Sequence, residues 1–322
     1  LISSSQLFGL AIKNLKEGDV VVCLTNPAFF ILLMPIVKMI TGCKYHILVH
    51  DIFPENLVSI GKLSNKGFAF SMLKKIFDWA YSNADSCISI GCDMLNVIKG
   101  KIKDRSSSIV IPNWADIDDV VPIEKYNTVL YKEYESNLKD KVVFQFAGNL
   151  GNAQGLDNLL SAIGMVDNPN AAFLFVGSGA KAKDVELFSK EHDNTIFAGF
   201  RNRSSQNDFL NSCDIGIVTL ADGMYGLGVP SKSYNIMATG KPILYIGDFD
   251  SEIAVTISKY DIGWIVEPNN PTQLMETINN ILSDKEDIIA KGKKSLGVAH
   301  NVFAKPIILE KFYQLVYQNL RN

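Results

Sequence analysis

Residues that bind metals or form disulfides are scarce in this sequence. The 322 residues include four histidines and five cysteines, and no two cysteines form a CxxC pair. The histidines, cysteines and carboxylates have no metal-site spacing, so we expect neither a metal nor another cofactor. The cysteines lie scattered in apolar stretches, as is typical of reduced thiols in a cytoplasmic protein.

Long hydrophobic runs and a strong net charge are also lacking. The longest apolar run, residues 28–37, is shorter than the roughly 20 residues that cross a bilayer, and no signal-peptide pattern is visible. A net charge of −3 excludes an overall nucleic-acid-binding surface. Hydrophobic residues make up 47% of the chain, which suffices for a large core and argues against disorder.

Apolar runs rich in β-branched residues alternate with amphipathic stretches, a pattern typical of parallel sheets with crossover helices. Strands are predicted at 19–25, 45–49, 86–90, 108–111, 142–147, 171–176, 195–198, 215–218, 242–246 and 262–266. Helices are predicted at 28–40, 68–83, 94–99, 156–166, 233–238, 271–282 and 306–320. The polar stretch 115–140 lacks strand periodicity and is the predicted interdomain linker.

Two α/β series joined by a linker predict two Rossmann-like, doubly wound domains that face each other across a central cleft. The predicted domains are residues 1–125 and 126–302, followed by a terminal helix at 303–322 that returns to the first domain. Ligands of such sheets bind at the carboxyl ends of the strands. We therefore expect functional residues in the loops that follow strands.

One such loop contains Gly148, Gly151 and Gly155, between a predicted strand and a predicted helix. Glycines let a backbone approach an anion closely, and free N–H groups at a helix start favour negative charge. A diphosphate is the expected ligand. The spacing matches neither the GxGxxG fingerprint nor a P-loop, so a tight strand-to-helix turn is the alternative.

A second glycine-containing segment, residues 226–232, reads GLGVPSK and precedes a short helix. Ser231 can hydrogen-bond a phosphate, and Lys232 can supply positive charge to a leaving diphosphate. Asn235, one turn into the helix, is placed to hydrogen-bond a ribose hydroxyl. The alternative is an exposed lysine beside a capping serine.

In the first half of the chain, His50 and Asp51 directly follow the predicted strand 45–49, and Glu55 lies four residues after Asp51. Side chains at the carboxyl end of a strand can reach a bound ligand. These three residues are the candidate catalytic groups. Asp51 could instead cap the turn before Pro54.

Six segments of the chain together resemble retaining family 4 glycosyltransferases of the GT-B fold, in the branch that builds bacterial surface polysaccharides. In family order, they are HDIFPENLVSIGKL, IPNWADIDDV, FAGNLGNAQGLDNLL, FVGSGAKAKDVE, TIFAGF and GVPSKSYNIMATGKPIL. The match covers nearly the whole chain. Leu1 corresponds to a point two or three βα units into the family pattern, so the resemblance implies an incomplete N-terminal domain.

The resemblance implies transfer of a sugar from a nucleoside-diphosphate sugar to a glycan or polyprenyl-diphosphate-linked acceptor. Configuration would be retained, and the product would enter capsule, O-antigen or exopolysaccharide synthesis. The donor phosphate would act as the base, without a divalent metal, while the protein positions the reactants. It also implies peripheral contact with the inner face of the cytoplasmic membrane, for which segments 28–35 and 72–79 are candidates. Burial as crossover helices is the alternative.

The donor site implied by the resemblance lies in the second domain. Its residues would be Gly148, Asn149, Gly151, Gln154, Gly199, Phe200, Arg201, Gly226, Gly228, Val229, Pro230, Ser231, Lys232 and Asn235. Residues 199–201 would cradle the nucleobase, with Arg201 stacked on the base or at the surface. Many members have glutamates where this chain has Leu227 and Asn235, and an arginine and a lysine where it has Asn149 and Gln154. Lys232 would therefore carry most of the positive charge.

Other functions fit parts of the pattern. A nucleotide-sugar epimerase of the same fold would need a set of histidines and carboxylates in the cleft, and histidines are few. A non-catalytic nucleotide-sugar-binding protein would be consistent with the missing start and the replaced glutamates. A dehydrogenase is disfavoured because neither half has GxGxxG followed by an acidic residue.

Overall fold

The computed structural model describes residues 2–59, 61–104 and 108–321. The chain forms two compact units, each built on its own parallel sheet. Unit 1 comprises Leu1–Pro112, Gly223–Val229 and Pro306–Asn322, and unit 2 comprises Asn113–Asp222 and Pro230–Lys305. Two parallel sheets with helices between successive strands confirm the predicted α/β class.

The sheet of unit 1 has four strands in the order β1-β2-β3-β4. The strands are β1 (Val20–Leu24), β2 (Lys44–Val49), β3 (Ser86–Ser89) and β4 (Ser108–Val110). The helices are α1 (Ile2–Asn14), α2 (Met34–Thr41), α3 (Glu55–Ser59), α4 (Phe68–Asn83) and α5 (Cys92–Lys99). His46 is buried in β2, opposite Ser86 in β3, and its Nδ1 lies 2.6 Å from Ser86 Oγ.

The continuous helix predicted at 28–40 is wrong. The structure has a single 3-10 turn at Ala28–Phe30, and α2 begins only at Met34, with Pro35 in its first turn. Proline lacks a backbone N–H and fits the first turn of a helix but not its interior. The helix therefore begins beside Pro35 and ends at Gly42, which adopts the left-handed conformation.

The sheet of unit 2 has six strands in the order β10-β9-β8-β5-β6-β7. The strands are β5 (Val142–Asn149), β6 (Ala171–Ser178), β7 (Thr195–Gly199), β8 (Ile215–Thr219), β9 (Ile243–Ile246) and β10 (Gly263–Val266). The helices are α6 (Val129–Glu133), α7 (Glu135–Leu138), α8 (Leu156–Met165), α9 (Ala182–Glu191), α10 (Gln206–Asn211), α11 (Lys232–Ala238), α12 (Glu252–Tyr260), α13 (Pro271–Ser283) and α14 (Lys285–Asn301).

Aromatic and branched side chains form the core of unit 2. The Phe144 and Phe173 rings stack between neighbouring strands at a centroid distance of 5.4 Å. Leu156 and Ile163 of α8 and Leu274 of α13 are buried in the same cluster. This packing holds the central strands rigidly, so the loops at their carboxyl ends start from fixed positions.

The stretch predicted as a linker lies within unit 2. Asp208 accepts hydrogen bonds from the backbone N–H of Val129 and Leu130, and Asn211 Oδ1 accepts from Ile123 N at 2.8 Å. Lys125 forms an ion pair with Asp214. Unit 2 accordingly begins at Asn113, earlier in the chain than the boundary predicted at 126.

The last helix, α15, spans Lys305–Arg321, and its residues from Pro306 onward belong to unit 1. The short segment Gly223–Val229, predicted within the second domain, also groups with unit 1. Within residues 2–59, 61–104 and 108–321, every helix is too short or too polar to cross a bilayer.

Candidate functional site

Glycines bring two loops into backbone contact at the carboxyl edge of the unit 2 sheet. Gly148 of β5 pairs with Gly177 of β6, at φ angles of 137° and 149°. A Cβ atom on Gly177 would lie 1.8 Å from the Gly148 carbonyl oxygen, so only glycine fits. A Cβ atom on Gly179 would likewise lie too close to a backbone atom, 2.5 Å from the Leu150 carbonyl oxygen. No side chain therefore separates these strand ends, and Gly148 is exposed while Gly177 is buried.

The loop that follows β5 is tied to its neighbours. Leu150 N donates to Ser178 O, and Lys181 N donates to Leu150 O, both at 2.8 Å. At the far end of the loop, Thr219 Oγ1 donates to Gln154 O at 2.8 Å. These bonds hold the loop in one conformation before any ligand arrives, which reduces the cost of ordering it on binding.

The Lys232 ammonium lies over the end of β5. Its Nζ is 3.3 Å from Gln154 Oε1 and 3.5 Å from the centroid of the Phe146 ring. A Cβ atom on Gly148 would lie 3.6 Å from the same Nζ. Among the described residues, Lys232 forms no ion pair with a carboxylate. Burial lowers the pKa of Lys232 to about 7, because desolvation disfavours the charged form.

Ser231 and Asn235 flank Lys232 in different environments. Ser231 is exposed at the start of α11 and makes no capping hydrogen bond with its side chain. Asn235 Oδ1 accepts a hydrogen bond from Asp116 N at 3.1 Å. The Asn235 carbonyl thus anchors the start of unit 2, and only its amide group is available as a donor to a ligand hydroxyl.

The loop after β7 contains Gly199, Phe200 and Arg201. Gly199 has a φ of 69°, and Phe200 is 67% exposed. The Arg201 Nη2 atom lies 2.8 Å from Glu133 Oε1 on α6. This ion pair balances the charge of the guanidinium and holds it against α6. No sequence motif predicted it, because Glu133 and Arg201 lie far apart along the chain.

In unit 1, Thr25 fixes the backbone of the two predicted catalytic residues. The backbone N–H groups of His50 and Asp51 donate to Thr25 Oγ1 at 3.1 and 3.2 Å. Asn56 Nδ2 donates to Asp51 Oδ1 at 2.9 Å. Burial lowers the pKa of the His50 imidazole, and the nearby Asp51 carboxylate opposes that shift only in part.

Part of the second glycine segment packs on these residues within unit 1. A Cβ atom on Gly228 would lie 3.6 Å from His50 O and 4.0 Å from Asp51 Oδ1. Gly226 has a φ of 69°, and a Cβ atom there would meet Val97 of α5 at 2.6 Å. Gly226, Gly228 and Val229 thus belong to unit 1, whereas Pro230, Ser231 and Lys232 belong to unit 2.

Glu55, the third predicted catalytic residue, forms an ion pair with Lys101. Its Oε1 accepts from Lys101 Nζ at 2.6 Å, and Lys101 also pairs with Asp78 at 2.8 Å. The Lys101 side chain is only 2% exposed. Sequence reasoning missed Lys101 because an isolated lysine 46 residues away carries no pattern that links it to Glu55.

The structure brings the predicted residues together in two groups. Gly148, Gln154 and Lys232 meet in unit 2, while His50, Asp51 and Gly228 meet in unit 1. Phe146 was missed although it lies in the predicted strand that precedes the Gly148 loop, and Thr25 was missed at the end of strand β1, the neighbour of β2. In the described part of the chain, no three His, Cys, Asp or Glu side chains lie close enough to hold a metal ion.

Comparison with known proteins decides the family. Residues 131–295 match the family model described as Glycosyl transferases group 1. Over 299 residues the chain is 39% identical to a Pseudomonas aeruginosa protein named as a probable glycosyltransferase, WbjE, covering 92% of this chain and 74% of that protein. The chain belongs to the group 1 glycosyltransferases. This membership confirms the resemblance to family 4 enzymes and identifies a transferase rather than an epimerase or a binding protein.

More distant relatives of this group 1 glycosyltransferase agree. WcaI of Escherichia coli (strain K12), by name a colanic acid biosynthesis glycosyl transferase, is 21% identical over 293 residues, covering 89% of this chain and 72% of WcaI. Anabaena Alr3699/HepE, solved in complex with UDP, superposes with a TM-score of 0.79 at 14% identity, covering 98% of this chain and 82% of HepE. The structural likeness confirms the GT-B fold class.

Proposed function

We propose that this glycosyltransferase takes its sugar from a nucleoside-diphosphate sugar whose diphosphate binds at the carboxyl edge of the unit 2 sheet. The Lys232 ammonium beside the Gly148 end of β5 carries the proposal. It is a cation next to accessible backbone, with an amide oxygen and a ring as its neighbours. HepE has been solved with UDP and with UDP-glucose, which supports this donor class.

The chemistry of this position suits a departing diphosphate. An ammonium that is already desolvated interacts more strongly with developing negative charge than one in water. Gly148 and Gly151 would let the phosphates approach the backbone, while Asn149 and Gln154 supply amide groups. Ser231 would hydrogen-bond a phosphate oxygen.

The remaining donor contacts are proposed for the nucleoside. The loop of Gly199, Phe200 and Arg201 would hold the nucleobase, with the guanidinium stacked on it. Arg201 would then either keep its Glu133 partner or exchange it for the base. The Asn235 amide group would donate to a ribose hydroxyl. Pro230 would complete the site in unit 2, and Gly226, Gly228 and Val229 are proposed as donor contacts in unit 1, where Gly228 lies beside His50 and Asp51.

The proposed reaction proceeds with retention of configuration and without a metal ion. The donor phosphate would accept the proton of the attacking hydroxyl, so the protein's own task is to orient both substrates and stabilise the leaving group. His50 and Asp51 would contact the transferred sugar or the acceptor hydroxyl. Their backbone is already fixed by Thr25.

Calorimetric titration with UDP- and GDP-sugars tests the donor site. Replacing Lys232 by Ala should weaken binding about ten- to a hundredfold, the loss expected when a hydrogen bond to a charged group is removed. Lys293→Ala, at an exposed lysine of unit 2, is the matched control and should bind as the wild type. Unchanged affinity in Lys232→Ala would refute the assignment.

The name of WcaI, a colanic acid biosynthesis glycosyl transferase, supports an acceptor in surface-polysaccharide synthesis, either a glycan or a polyprenyl-diphosphate-linked sugar. A lipid-linked acceptor would require contact with the cytoplasmic face of a membrane. Helix α4 offers a surface for it. Phe68, Met72 and Trp79 are 85%, 48% and 46% exposed on one face, whereas Phe77 and Ala80 are buried on the other.

Liposome co-sedimentation tests this contact. The exposed Lys75 lies on the same face of α4, at helical spacing from Phe68 and Trp79, so anionic lipid should bind better than neutral lipid. Phe68→Ser with Trp79→Ser should abolish pelleting. Leu187→Ser, which removes a comparably exposed leucine from α9 in unit 2, should leave it unchanged. Absence of lipid-dependent pelleting by the wild type would remove membrane contact from the proposal.

A further inference from the structure

An ion-pair network around the buried Lys101 contacts the end of the loop that carries His50 and Asp51. At its centre is Lys101, whose side chain is 2% exposed. Lys101 Nζ lies 2.6 Å from Glu55 Oε1 and 2.8 Å from Asp78 Oδ1. Asp78 also pairs with Lys74 at 2.5 Å. The network joins the start of α3 to α4 and to the end of α5.

The position of Lys101 is itself fixed. Its backbone N–H donates to Ile98 O at 2.8 Å, at the end of α5, and its carbonyl accepts from Ser82 Oγ at 3.0 Å. A desolvated ammonium is stable only while its partners stay in place. Glu55 is therefore held at a defined point on unit 1 rather than left free to reach a substrate.

The loop 50–56 is thus fastened at both ends. Thr25, itself 1% exposed, accepts from the backbone of His50 and Asp51 at the start. Glu55 binds Lys101 at the end, and the adjacent Asn56 donates to Asp51 Oδ1 at 2.9 Å. The orientation of the Asp51 carboxylate depends on Asn56, which depends in turn on where Glu55 is held.

We propose that Glu55 is a positioning residue rather than a catalytic one. Through its ion pair with Lys101 it sets the position of Asn56, and through Asn56 the orientation of the Asp51 carboxylate and the neighbouring His50. The expected effect of Glu55 on the rate of sugar transfer rests on the proposed function. Its effect on the conformation of loop 50–56 does not, and this effect can be measured without any substrate.

The test uses imidazole NMR signals of the full chain, which has four histidines. Glu55→Ala and Lys101→Met should both shift the His50 signal, because both remove the same contact. The signals of His192 and His300 in unit 2 should not move. Lys38→Met, which breaks the Lys38–Asp85 pair elsewhere in unit 1, is the matched control and should leave His50 unchanged.

Lys101→Met leaves Glu55, whose side chain is 20% exposed, without its main partner and can unfold unit 1. The double variant Glu55→Gln with Lys101→Met removes the ion pair without leaving that charge unpaired, and Asp78 keeps Lys74. It should fold and also shift the His50 signal. A folded double variant with an unmoved His50 signal would overturn the proposal.

Transfer kinetics provide the second readout. Glu55→Ala should lower kcat by at least about tenfold, as expected when a reacting group is misplaced, while KM for the donor stays within about twofold. Glu55→Gln, which can still accept from Lys101, should recover part of the rate. A moved His50 signal with unchanged kcat would refute the role in transfer and leave the loop geometry intact. An unmoved signal would refute the positioning itself.

Discussion

At the level of single residues, the proposed donor site depends on the unusual environment of Lys232. A lysine on a protein surface normally has water or a carboxylate around its ammonium, whereas this one has the Phe146 ring and the Gln154 amide oxygen. Both are weak partners for a charge. Burial lowers the pKa of Lys232 to about 7, so near neutral pH the residue is poised between its two protonation states.

This environment predicts proton uptake on ligand binding. A bound diphosphate favours the charged form of Lys232 and should raise its pKa well above 7. At pH 7 to 8, binding should therefore take up a fraction of a proton, up to about one. Calorimetry in buffers of different ionisation enthalpy measures the uptake.

Lys232→Met is the reference for this measurement, because it retains an unbranched chain and cannot titrate. Protons taken up by the ligand itself should remain in the variant, and only the difference is assigned to Lys232. An equal proton count in the wild type and the variant would show that the lysine does not interact with the diphosphate.

Residue-level prediction from sequence succeeded where a motif existed. Lys232 and Gly148 stand in recognisable segments after strands, and the structure brings them together. Thr25 and Lys101 are in no motif. Each acts through contacts 25 or more residues away along the chain, and such contacts follow from the packing of unit 1 rather than from local pattern.

At the element scale, strands were easier to predict than helices. Each strand of both sheets coincides with an apolar run, and the central strands, such as β5 and β6, are buried on both faces. Helix α4 also agrees with the predicted bounds 68–83. Helices α9, α12 and α14 were not predicted. All three helices are polar on their outer faces. The inner face of α14 also includes Lys291, which is buried and paired with Asp261, so the sequence of α14 shows no clear hydrophobic face.

The carboxyl edge of the unit 2 sheet should tolerate no side chain at Gly177. Gly177→Ala would place a Cβ atom 1.8 Å from Gly148 O at a φ of 149°. Because the ends of β5 and β6 must then move apart, we expect the substitution to lower the free energy of unfolding by about 1–3 kcal/mol or more. Donor binding should weaken for the same reason. Chemical denaturation measures the first effect and calorimetry the second.

Gly297→Ala is the control for this prediction. Gly297 lies in α14 of unit 2, and a Cβ atom there meets nothing within 4 Å. The substitution should stabilise the protein by about 0.5–1 kcal/mol, the usual gain of alanine over glycine in a helix. Equal effects of the two substitutions would show that the strand ends do not need glycine.

At the scale of the whole molecule, the sequence predicted two α/β series but not how the chain is shared between the units. Gly223–Val229 and Pro306–Asn322 join unit 1 through contacts with residues far away in the sequence. Gly226, for example, fits against Val97. The periodicity of a segment cannot reveal which unit it joins, because that depends on contacts with residues far away in the sequence.

Stability should fall as the protein is acidified through pH 6.5. His46 is buried, and burial lowers its pKa below the ordinary 6.5. The unfolded chain then binds more protons than the folded one between that lowered pKa and 6.5, so the free energy of unfolding rises with pH in this window. His50 acts in the same direction.

Chemical denaturation between pH 5 and pH 8 measures this dependence. Replacing His46 by Gln should flatten the slope below about pH 6.5 by up to about one proton. A His46→Gln slope equal to that of the wild type would show that folding does not lower the pKa of His46.

The most direct test of the account is a crystal structure of the chain with a nucleoside diphosphate bound. We expect a phosphate oxygen to lie within about 3 Å of Lys232 Nζ, beside the backbone of Gly148. A diphosphate bound at any other place, with Lys232 still in contact with Phe146 and Gln154 alone, would contradict it.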